Sequence, residues 1–207
     1  MTTASRRLAH RAWTSYNNSL VERPILTKSL VSLAGFGLGD ALAQSVTKRP
    51  EEPFRWDRTL SMAGYGFVVG GPLGHYWFGA LDKYVLPSRP TSPAAVLAKV
   101  GADQLLQAPF GMACFYAWDT MAKHGREGFE EEFPRAVRET LPVALQASWT
   151  MWPLAHLINF RYIPSSQRML YVNAVALVWT SILSYVSNKP SEPAPYEEVG
   201  KLAPQEL

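Results

Sequence analysis

TLSMAGYGFVVGGPLGHYWFGAL, residues 59–81, runs for 23 positions without an Asp, Glu, Lys or Arg. Coiled as an α-helix it would be about 34 Å long, more than a bilayer hydrocarbon core of ~30 Å. Two more windows share the property, residues 140–160 with 21 positions and residues 169–188 with 20. Two others are interrupted by charge: residues 25–46 by Lys28 and Asp40, and residues 95–118 by Lys99 and Asp103. Charge collects instead in the connections, most densely in residues 50–58 and 119–139. This alternation predicts an all-α integral membrane helical bundle of four to five kinked spans with short charged connections. The competing expectation, a soluble helical protein with charge-free core helices, does not account for the placement of charge between the windows.

The averages fit once polar residues are allowed inside the spans. Charged residues make up 18% of the 207, under the ~25% of ordinary soluble domains, yet mean hydropathy is −0.08. A net charge of +3 spread along the chain offers no dense basic face, so no nucleic-acid partner is expected. Cys114 has no partner for an internal disulfide, and no Cys or His pair has zinc-site spacing, so no metal is expected. Phosphate-loop, nucleophile-elbow, zincin and dinucleotide signatures are missing, which predicts no enzyme, no catalytic residue and no cofactor.

Three segments follow. Residues 1–24 form a basic amino-terminal segment with Arg6, Arg7 and Arg11 and no acid before Glu22. Its composition suits mitochondrial import or a cap against anionic headgroups. Residues 25–189 form the bundle, and residues 190–207, with four prolines and several acids, an extended flexible tail.

Inside the spans, Gly66, Gly70 and Gly74 recur every four residues, as do Gly35, Gly39 and Ala43. This is the small-residue spacing that lets membrane helices approach closely. Pro72, Pro109, Pro142 and Pro153 each remove a backbone donor and predict kinks. Lys99, Asp103 and Gln107 share one helical face, on which Lys99 and Asp103 are placed to neutralise each other. Asp40 and Gln44 make a second pair, and Trp149, Trp152, His156 and Asn159 a polar-aromatic stripe with Arg161 just beyond. A lone charge at mid-bilayer costs roughly 2.5–3.5 kcal/mol on insertion scales, so these groups should face protein or water. Either Asp40, Lys99, Asp103, His156 and Asn159 line a solute path, or the stripes only hold helices together.

With those residues in view, the sequence resembles the Mpv-seventeen / 22-kDa peroxisomal membrane protein family. The match runs through Trp13, Tyr16, Leu20, Pro24 and Thr27, then Gly39-Asp40, Gln44, Asp57-Arg58 and Gly71-Pro72-x-x-His75. It continues with Lys99, Asp103-Gln104 and Pro109, and ends in Trp149-x-x-Trp152-Pro153, Asn159-Phe160, Pro164, Arg168 and Trp179. His156 stands where the family usually has Gln. The resemblance implies a small membrane protein, usually drawn with four spans, in the mitochondrial inner or the peroxisomal membrane. It further implies a channel or pore for small metabolites, with links to mitochondrial homeostasis and nucleotide supply. The expected partners are the lipid bilayer and a small solute, and the pore forms within one chain or in a homo-oligomer. A non-transporting scaffold or assembly factor is the alternative. With five spans, eight Lys and Arg fall on the amino-terminal side and ten on the other, which leaves orientation open.

Overall fold

Proline and glycine mark most element boundaries. The computed structural model describes residues 3–47 and 52–187, which are overwhelmingly helical and hold no strand. Helix α1 (Thr3–Glu22) leads into α2 (Pro24–Thr47), which starts on a proline at a position where the missing N–H costs nothing. A continuous rod follows, α3 (Trp56–Tyr65), a π turn over Gly66–Gly70, and α4 (Gly71–Tyr84). A second rod opens at α5 (Pro93–Ala102), where the Ser92 hydroxyl accepts the Ala95 N–H at 3.3 Å. It passes through a π turn at Asp103–Gln107 into α6 (Ala108–Arg135), which breaks at Gly125 with φ 64°. A third π turn, Ala136–Thr140, precedes α7 (Leu141–Trp149), and α8 (Trp152–Tyr162) and α9 (Arg168–Ser187) complete the bundle.

Each π turn ends two residues before a proline: Gly70 before Pro72, Gln107 before Pro109, Thr140 before Pro142. A proline ring collides with the carbonyl four residues earlier, here that of Val68, Leu105 or Arg138, always inside the widened turn. Opening the turn to i→i+5 bonding relieves the collision and lets the helix continue. At Pro72 and Pro109 the expected kink therefore takes the form of a wide turn just upstream.

Pro153 acts differently. Residues 140–160, expected as one span, form two helices, because α7 stops at Trp149 and Pro153 occupies the first turn of α8. The Thr150 hydroxyl donates to the Ala147 carbonyl at 2.7 Å, and the Met151 N–H to the Ser148 carbonyl at 3.2 Å. These bonds tighten and close the end of α7. The tail expected over 190–207 lies outside the described residues.

Contacts fix the directions. Gly71 and Gly66 of the first rod face Ser29 and Ser32 of α2, so rod and helix are antiparallel. Gly35 and Gly39 of α2 face Asn173 and Leu177 of α9, which is parallel to it. Asp82 meets Lys99 while Tyr65 meets Gly111, and Asp103 meets His156 while Arg161 meets Thr91, so these passes are antiparallel as well. The spacing of four does not survive the π turn intact. Gly66 and Gly71, one wide turn apart, come against α2 backbone, while Gly70 lies on the Phe36 ring and Gly74 on Met169. A Cβ at Gly66 or Gly71 would collide with α2 main chain, so close approach requires glycine there.

Polarity is inverted relative to a water-soluble protein. Buried polar and charged residues, among them Ser32, Lys99, Asp103 and Asn159, outnumber buried apolar ones among the described residues. Large apolar side chains such as Leu30, Val68, Leu97, Leu105, Phe110 and Val178 point outward. An apolar exterior of this extent is stable in lipid rather than water. Among the described residues the uninterrupted helix Pro24–Val46 is long and apolar enough to cross a bilayer core alone; π turns or breaks divide the windows at 59–81, 95–118 and 140–160, and α9 is unbroken.

Candidate functional site

A cavity of about 300 Å³ opens in the middle of the bundle, between α2, the two rods, α7, α8 and α9. Its wall is largely aromatic and aliphatic, with Phe36, Tyr65, Phe78, Phe115 and Trp152, and its polar part is Asp103, Gln104, Gln107, Ser148, His156 and Asn173. The π turn explains how the second rod supplies this polar edge. Asp103 and Gln104 are both buried and Gln107 reaches the cavity, while Leu105 and Leu106 point out at 68% and 61% exposure. A plain α-helix would have kept Lys99, Asp103 and Gln107 in one row.

Asp103 is held on every side. Its Oδ1 accepts from Trp77 Nε1 at 2.9 Å, and its Oδ2 accepts from Gln104 Nε2 at 3.1 Å and lies 3.1 Å from His156 Nε2. The imidazole is fixed by stacking, since Trp152, His156 and Phe160 follow one face of α8 with ring centroids 5.4 Å apart at both steps. Asn159 Nδ2 lies 3.4 Å from His156 Nδ1, an arrangement that leaves Nε2 to carry the proton toward Asp103. The cavity therefore presents a carboxylate–imidazole pair, a group able to orient a cation, a hydrogen-bond donor or water. Among the described residues no three His, Cys, Asp or Glu side chains gather as metal ligands.

The other candidates lie elsewhere. Lys99 does not pair with Asp103 as expected, although the two lie one regular α turn apart. Its Nζ binds Asp82 Oδ1 at 2.7 Å and the Pro90 carbonyl at 3.1 Å. Arg168 Nη1 reaches both oxygens of Asp82 at 2.8 Å. Burial alone would raise the Asp82 carboxyl, but hydrogen bonds from Arg168, Lys99 and Ser165 outweigh it and bring the pKa down to about 2. Asp40, at the far end of α2, accepts from Gln44 Nε2 at 2.7 Å and Thr59 Oγ1 at 2.6 Å and pairs with Arg58 Nε at 2.7 Å. Asn159 is fully buried behind His156.

Of the five path candidates, the fold places Asp103 and His156 on the cavity; Asp40, Lys99 and Asn159 are not among its lining residues. Trp77, Asp82 and Gln104 were missed. Asp82 carried a signal, as the acid that ends an uncharged window of 23 residues.

Residues 127–184 match the model of the Mpv17 / PMP22 family. PXMP2/4 family protein 1 of Dictyostelium discoideum is 35% identical over 185 residues, covering 88% of both chains. Protein sym1 of Aspergillus oryzae is 37% identical over 175 residues, 84% of this chain and 96% of the relative. No solved structure matches.

Proposed function

The chain belongs to the Mpv17 / PMP22 family of membrane proteins, and from that premise we propose that it is a channel passing small solutes across an organelle membrane. The observation that carries the reading is the cavity of about 300 Å³ with the Asp103–His156 pair at its edge, inside a bundle whose outer face is apolar. Passage would use the four to five passes of one chain or of an oligomer, with Asp103 setting the preference for cations or hydrogen-bond donors. The reading includes no catalytic step. The acid-free stretch with Arg6, Arg7 and Arg11 ahead of Glu22 supports the mitochondrial inner membrane, and the peroxisomal membrane is the alternative.

Purified protein in planar bilayers is expected to give discrete conductance steps, and Asp103→Asn to shift the reversal potential in a salt gradient. Silent bilayers with well-folded protein, or an unchanged reversal potential in the variant, would sink the assignment. The second reading is a non-transporting scaffold, favoured by the closed polar networks around Asp40 and Asp82, which spend their hydrogen bonds on helix contacts. In that case vesicles take up no solute with either protein, and Asp103→Asn lowers only bundle stability.

A further inference from the structure

At the amino-terminal end of the bundle, where α2 and α9 begin and α4 and α8 finish, cations outnumber the carboxylates Glu22 and Asp82. Arg23, Lys83, Arg89 and Arg161 are exposed on its rim, and Lys28, Lys99 and Arg168 are buried beneath. The modest net charge of the whole chain hides this face.

Asp82 answers two of the buried cations at once, holding Lys99 Nζ at 2.7 Å and Arg168 Nη1 at 2.8 Å. Lys28 has an imidazole instead of a carboxylate, with Nζ 3.2 Å from His75 Nδ1. Among the described residues no carboxylate lies within ion-pair distance of Lys28. Arg168 Nε is buried and has no hydrogen-bond partner, although the same guanidinium spends Nη1 on Asp82. Arg168 and Asp82 are both close enough for their charges to act on Lys28, the first repelling it and the second, beyond ion-pair distance, attracting it. Three buried cations thus share the single carboxylate of Asp82, and a buried guanidinium N–H lacks an acceptor, so one added anionic acceptor would answer both.

We infer that Lys28, His75 and Arg168 form a binding site for a phosphate group. The guanidinium offers a directed N–H and the ammonium a compact charge, the two means by which proteins hold phosphate oxygens. With Nδ1 accepting from Lys28, His75 keeps its proton on Nε2 and adds a third donor. The exposed cations of the rim draw multiply charged anions toward this end. None of the three residues lines the central cavity, so the site does not depend on conduction through the bundle. The phosphate belongs to a lipid headgroup or to a free solute, and the two sources share the same donors.

The test uses the full chain purified in phosphate-free maltoside detergent at fixed ionic strength. One arm titrates inorganic phosphate and follows the melting temperature; the other titrates phosphatidylglycerol and follows bound lipid by native mass spectrometry. Wild-type protein is expected to bind in at least one arm, and Lys28→Gln, which leaves both Asp82 pairs in place, to weaken that binding tenfold or more. Lys28→Arg should retain it, and Arg161→Gln, on the exposed rim, should change it less than twofold. A response to inorganic phosphate assigns a free anion, and a response to phosphatidylglycerol alone assigns a headgroup. The site is overturned if neither ligand binds, if Lys28→Gln binds as wild type does, or if Arg161→Gln loses as much.

Discussion

The carboxylates at the ends of the bundle and the one at its middle are bound in different ways. Asp82 and Asp40 each meet full cations, Lys99 with Arg168 in one case and Arg58 in the other. Asp103 meets an indole, an amide and an imidazole, and it borders a cavity. Charge pairing at the ends fixes helices relative to one another, whereas hydrogen bonding at the middle holds a carboxylate in place without placing a permanent cation on it. A group held in this way remains available to a solute or to water.

The difference can be broken by substitution at each carboxylate. Asp82→Asn should have the largest effect, about 3–5 kcal/mol of lost stability, because Lys99 is fully buried and would lose its counter-charge. Thermal unfolding in detergent measures it, and a melting curve like that of wild type would remove the distinction between ends and middle. The same carboxylate makes wild-type stability depend on acid. Its folded pKa of about 2 is below the ordinary carboxylate value, so its contribution is complete above roughly pH 4 and lost as pH falls toward 2. Asp82→Asn should flatten the unfolding profile over that range.

Asp40→Asn comes next, at about 1–3 kcal/mol, since Arg58 is 43% exposed and can turn to water when its partner is neutralised. Chemical denaturation that left this variant as unstable as Asp82→Asn would show that exposure of the partner does not matter. Asp103→Asn should cost least, about 1–2 kcal/mol, because it takes the acceptor from one neutral donor, Trp77 or Gln104, and strands no permanent cation. Its melting temperature should stay near that of wild type while its ion selectivity shifts. A large loss of stability here would make the middle another structural tie.

The sequence made the helices and their close approaches legible through charge-free windows and glycine spacing, because both follow from local composition. The Asp40–Gln44 bond could also be read, since a regular α-helix brings positions four apart together. Wherever a π turn intervenes, that ruler fails. Gly66 meets α2 while Gly74, eight residues on, meets Met169 of α9, and Gly71 takes its place against α2. Lys99 and Asp103, read as partners, look to different neighbours although no π turn separates them. Pairings between distant segments, such as Asp82 with Arg168 or Lys28 with His75, have no local signature. They depend on how rods of unequal winding come to rest against α2.

The π turns have one more consequence. Each holds one residue more than an α-turn over the same rise, so each is in effect a single-residue insertion carried inside a helix. The turn at Ala136–Thr140 buries no residue, unlike those at Gly66–Gly70 and Asp103–Gln107. Losing one residue between 136 and 140 would close this wide turn to an ordinary α turn and leave α7 close to its present orientation, whereas the same loss in a regular turn would rotate everything beyond it by about 100°. At these three places a one-residue change of length is therefore absorbed in the winding, where elsewhere in a helix it would re-aim a whole face.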